Sequence, residues 1–78
     1  MTTAPRFCVA LFPSMNHALL AERILLEQAI AVKLIPVPKQ LSSDCGICLR
    51  FPATLAERVR DALTGRVKLQ AIRELADH

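Results

Sequence analysis

The chain has 78 residues, 53% of them hydrophobic and 22% charged, with ten Lys and Arg against seven Asp and Glu for a formal net charge of +3. A chain this short holds one small core, since domains start near ~50 residues, and that excludes a two-domain enzyme. The apolar content excludes disorder, and the three aromatics, all Phe, point to an aliphatic core.

The cations stand singly from Arg6 to Arg73, with no Tyr or Trp among them. That pattern lacks the footprint of a nucleic-acid binder. The longest uncharged apolar stretch, Phe7 to Leu20, is interrupted by Pro13, Ser14, Asn16 and His17, and a bilayer needs about 20 apolar residues in a row. The opening Met1-Thr-Thr-Ala-Pro-Arg6 lacks the regions of a signal peptide. We therefore expect a cytoplasmic location, with no nucleic-acid or membrane partner. One domain is expected over 1–78, with frayed tails at 1–5 and 75–78.

In chain order, Arg6 to Phe12 is a short apolar run stopped by Pro13, which predicts a buried first strand. Ser14 is the N-cap of a helix from Met15 to about Ala29, with Leu20, Ala21, Ile24 and Leu25 on its buried stripe. The β-branched run Ala31 to Pro38 predicts a second strand whose Pro36 suits a sheet edge. Lys39 to Cys45, rich in Ser and Asp, is the main loop. Gly46 to Phe51 alternates, placing Ile47, Leu49 and Phe51 on one face and Cys48 and Arg50 on the other, and Pro52 ends this third strand. Thr54-Leu-Ala-Glu57 matches a capping box, opening a second helix with Leu55, Val59, Ala62 and Leu63 on its stripe and Thr64-Gly65 at its end. Val67, Leu69 and Ala71 then alternate with Lys68 and Gln70 as a fourth strand would, although Leu69 to Ala76 also fits a helix.

The order β-α-β-β-α-β is that of the two-layer, ferredoxin-like α+β sandwich: a four-stranded antiparallel sheet with two helices on one face. Two half-apolar helices cover one face and leave the other open, as a surface for a partner or for a homodimer. Cys48 and Arg50 belong to that open face. For the first strand, Cys8, Ala10 and Phe12 or else Phe7, Val9 and Leu11 lie opposite the core; alternation alone does not choose.

Chemistry is concentrated in Ser42-Ser43-Asp44-Cys45-Gly46-Ile47-Cys48. Three cysteines, Cys8, Cys45 and Cys48, do not make the even set of a secreted disulfide framework, and in a reducing compartment C-x-x-C spacing points to redox, persulfide or metal chemistry. Cys45, in the polar loop, is the better nucleophile, and Arg50 or Lys39 would favour its thiolate while Asp44 would oppose it. Cys48 would be its resolving partner or a small packing residue. A strand after the motif, instead of a helix, disfavours thioredoxin chemistry, and one C-x-x-C is half a structural zinc site, with Cys8, His17 and His78 the only added ligands. Cys8 reads as packing and His17 as a solvated helix residue. We expect no cofactor or resident metal.

The runs Val32-Lys-Leu-Ile-Pro-Val-Pro38 and Leu41-Ser-Ser-Asp-Cys-Gly-Ile-Cys-Leu-Arg-Phe51 resemble the small bacterial and archaeal family of Se/S carrier protein-like domains, and the resemblance covers nearly the whole chain. It implies a carrier holding sulfur or selenium as a persulfide or perselenide on Cys45. A sulfur or selenium donor protein, such as a cysteine desulfurase, would load it, and an acceptor protein would unload it. Many members have a small residue such as Ala where this chain has Cys48, so the resemblance makes Cys48 an optional thiol. In a carrier, Gly46 would let a partner approach the sulfur, and Ser42, Ser43 and nearby backbone amides would stabilise the terminal anion. A carrier suits 78 residues better than a stand-alone enzyme, which needs an enclosed pocket. Two other readings compete: a non-catalytic binding or dimerisation module with structural or metal-binding cysteines, and a thiol-disulfide redox protein using Cys45 and Cys48.

Overall fold

The structure, a computed structural model, describes residues 6–41 and 46–75. Its elements are β1 (Phe7–Leu11), α1 (Met15–Glu27), β2 (Lys33–Pro36), β3 (Ile47–Pro52), a 3-10 turn (Ala53–Leu55), α2 (Ala56–Leu63) and β4 (Ala71–Glu74). The sheet order is β2-β3-β1-β4 with every neighbouring pair antiparallel. Because β3 is antiparallel to both β1 and β2, those two run parallel with β3 between them, the split β-α-β arrangement of a ferredoxin-like sandwich. Pro36 ends the edge strand β2, where its missing N–H costs no ladder bond.

The register decides what alternation left open. Leu11 pairs with Cys48 and Val9 with Arg50, so Phe7, Val9 and Leu11 share the face of Cys48 and Arg50. Cys8, Ala10 and Phe12 instead join Leu49 and Phe51 in the cluster under the helices, which contribute Ala18, Ala21, Leu25, Val59 and Leu63. The small Ala18 and Ala21 bring α1 close to the sheet. Leu20, expected on the buried stripe, is 46% exposed. The stripe is centred on Ala18, Ala21 and Leu25, and Leu20 lies about 100° around the helix from Ala21.

The helix-free face is also less open than expected. Val9, Leu11 and Cys48 are buried there, with Ile35, Val37, Leu41, Ala71 and Leu75 packed around them. Ile35 and Ala71 come from the edge strands beside the central pair, and Val37, Leu41 and Leu75 from the chain beyond the strand ends, so residues outside the sheet share in covering this face. The result is a second, smaller hydrophobic cluster.

Two other local expectations are corrected. The fourth strand does not run through Val67 and Leu69, which pack under the helices; it spans Ala71–Glu74. The amides of Arg66 and Val67 both donate to the Leu63 carbonyl, closing α2, so pairing with β1 begins only where the Gln70 amide meets the Leu11 carbonyl at 2.8 Å. Ala71 consequently faces the second cluster. Thr54 forms no capping box: Pro52 leads into the 3-10 turn, and α2 starts at Ala56 without a side-chain cap. Segments 1–5 and 76–78 of the expected tails lie outside the described residues; the Leu75 amide donates to the Phe7 carbonyl at 2.8 Å.

Ser14 is the expected cap, its extended backbone letting Oγ accept from the His17 amide at 3.4 Å. At the other end of α1, Ala29 adopts φ +60°, with the Ala29 amide on the Leu26 carbonyl and the Ile30 amide on the Leu25 carbonyl. This pair of bonds is a Schellman motif, sealed by the buried Leu25 and Ile30. Among the described residues, no helix is long and apolar enough to cross a membrane.

Candidate functional site

Of the motif residues, Ser42, Ser43, Asp44 and Cys45 lie outside the described residues, while Gly46, Ile47, Cys48 and Arg50 are described. Gly46 is exposed at the entrance to β3 with φ +79°. A Cβ built there would meet nothing within 4 Å, so the backbone conformation, not space, calls for glycine. The Gly46 carbonyl accepts from the Val37 amide at 3.1 Å. This bond closes the β2–β3 connection one residue after Cys45, and the Leu41 amide on the Pro38 carbonyl forms a turn on its other side.

Cys48 is 0% exposed. It projects into the cluster of Val9 and Leu11, and its thiol donates to the Pro36 carbonyl at 3.9 Å. A sulfur in this position packs as a small hydrophobe, out of reach of an external electrophile unless the face opens. Cys8 is buried on the opposite face, under the helices. Burial, reinforced by the nearby Glu74 carboxylate, pushes the Cys8 thiol up from its ordinary range. Because the sheet separates Cys8 from Cys48, the two cannot share a metal within one chain. Among the described residues there is no cluster of three or more His, Cys, Asp or Glu able to hold a metal ion.

Arg50 points to the helix-free face but away from the Gly46 end, its guanidinium carbon 4.8 Å from the centre of the Phe7 ring. Phe7 pairs with Pro52, the last residue of β3. Arg50 is four positions along the chain from Gly46, about 14 Å in an extended strand.

The register brings a different polar group to the end of the sheet at which β3 begins. Beyond the Leu11–Cys48 pair, the chain leaves β1 through Phe12 and Pro13 to Ser14, while β3 is entered from Gly46 through Ile47. The start of α1 and the start of β3 therefore lie at the same end of the sheet. There Ser14 Oγ and His17 Nδ1 are 2.6 Å apart, both residues half-buried. Read singly, Ser14 is a cap and His17 a solvated helix residue; the S-x-x-H spacing, one helical turn, is the signal that joins them.

The model of the family described as Putative Se/S carrier protein-like matches residues 7–73 of the chain. No curated protein and no solved structure matches it.

Proposed function

The chain belongs to the Se/S carrier protein-like family, and from that premise we propose that Cys45 is the thiol that carries the chalcogen. The Cys45 thiolate attacks the sulfane sulfur of a donor persulfide. A new S–S bond forms on Cys45, the donor's S–S bond breaks and the donor leaves as a thiolate. An acceptor thiolate then attacks the outer sulfur of the Cys45 persulfide and regenerates the Cys45 thiolate. Neither step needs an external oxidant or reductant, and selenium follows the same course. The donor is a persulfide-forming protein such as a cysteine desulfurase.

The observation that supports Cys45 is the packing of the other two thiols. Cys48 and Cys8 are each incorporated in one of the two hydrophobic clusters. Ser42, Ser43 and neighbouring amides are assigned to the terminal anion of the loaded state.

Intact-mass measurement after incubation with a cysteine desulfurase and cysteine tests the reading, because a persulfide adds about 32 Da. The wild type and Cys48→Ser should both gain this mass, and Cys45→Ser should not. An adduct that persists in Cys45→Ser and disappears in Cys48→Ser would reverse the assignment.

A further inference from the structure

The row of side chains that crosses the helix-free face at Val9 carries three cations: Lys33 on β2 is in register with Arg50, Arg50 with Val9, and Val9 with Arg73. Like charges directly opposite on neighbouring strands repel, so a fold does not place Lys33 beside Arg50 for stability. Among the described residues, neither makes an ion pair with a carboxylate; the two ion pairs present are Arg6–Glu74 and Arg23–Glu27. Glu74 does not reach this row, since its register partner Cys8 faces the helices.

Beside the two cations is a cleft of about 220 Å³ lined by Phe7, Lys33, Arg50, Phe51, Pro52 and the Ala31-Val32 segment. Arg50 is held there by its stacking on the Phe7 ring. That contact pre-orders a planar fork of donors, while Lys33 supplies a mobile point charge from the edge strand. The remaining wall is apolar.

We propose that this cleft is a binding site for a small oxyanion-bearing compound, its phosphate or carboxylate head between Lys33 and Arg50 and a short apolar body against Val32 and Pro52. The volume is below the ~300 Å³ at which pockets for drug-sized ligands begin, which favours a small acid or phosphate ester over a nucleotide. Arg50, read from sequence as a partner of the Cys45 thiolate, is here the principal anion ligand. The site does not depend on the carrier reading, because Arg50 lies about 14 Å along the extended strand from Gly46 and no lining residue is a cysteine.

The test is a titration of isotope-labelled protein followed by NMR, with inorganic phosphate, phenyl phosphate and benzoate as probes at ionic strength held constant with chloride. Saturable shifts are expected at the Lys33 and Phe51 amides and at the Arg50 side-chain Nε–H. Arg50→Gln and Lys33→Gln should each weaken binding about tenfold or more, since each removes a charge-assisted hydrogen bond. Arg50→Lys should fall between wild type and Arg50→Gln. A stronger response to phenyl phosphate assigns a phosphate head and a stronger response to benzoate a carboxylate, and either supports the site. Shifts that fail to saturate with all three probes overturn it, as does binding unchanged in both glutamine variants. Should Arg50→Gln not fold, Lys33→Gln decides alone, because Lys33 is exposed. Loss of the Cys45 adduct in the mass experiment would leave this result untouched.

Discussion

Replacing Ala29 by glycine should stabilise the domain, although alanine is ordinarily the better residue in and around a helix. Ala29 has φ +60° and is exposed, so its methyl group makes little packing to lose. The left-handed conformation costs a residue with a Cβ about 1–2 kcal/mol. Glycine removes that cost but makes the unfolded chain more flexible, which returns about 0.4–1 kcal/mol. The net gain is about 0.5–1 kcal/mol, and in a domain of this size that raises Tm by roughly 2–8 °C. Thermal unfolding followed by circular dichroism measures it directly. The mirror-image experiment is Gly46→Ala. At φ +79°, with nothing within 4 Å of the added methyl, it should lose about the same free energy through the backbone alone. An unchanged or lower Tm for Ala29→Gly would refute the reasoning, and so would a neutral Gly46→Ala.

Ser14→Ala removes the acceptor for the His17 amide and should cost about 1 kcal/mol, with Ser14→Asp retaining most of it in urea unfolding. Phe51→Ala empties a fully buried position in the helix-side core. It should cost about 3–5 kcal/mol, a large part of the roughly 4–12 kcal/mol available to 78 residues, and should show as a collapse of the urea midpoint. The Cys8 thiol is pushed up in the folded state by burial and by Glu74. The folded chain therefore keeps that proton to higher pH than the unfolded one. Its contribution is full below the ordinary thiol range near 9.0 and is lost as pH rises toward the folded value. Urea midpoints measured on both sides of that range should accordingly fall less in Cys8→Ala than in wild type; an equal fall in both would show that Cys8 does not contribute.

Much of the fold was legible because local physics decides it. Pro13 and Ser14 separate a strand from a helix through a fixed φ and a side-chain acceptor, and the alternation from Ile47 to Phe51 assigns Cys48 and Arg50 to one face without reference to any other residue. The candidate motif was legible as a C-G-x-C spacing whose second half, Ile47 and Cys48, opens a strand. Where a local pattern fits an element without enforcing it, the neighbouring backbone bonds decide. Thr54 and Glu57 have capping-box spacing, yet the chain entering from Pro52 winds into a 3-10 turn first. Val67 to Ala71 alternates like a strand, yet the Leu63 carbonyl takes the Arg66 and Val67 amides.

What the sequence by itself determined is the set of elements, their order, and the placing of one thiol, Cys48, in the third strand. Only the tertiary structure decided which face of β1 meets the helices, that Cys48 is sealed in a second cluster, and that Lys33 stands beside Arg50. These are register facts. A strand's alternation repeats every two residues and carries no information about its partner, so contacts between residues far apart in the chain exist only once the strands are paired.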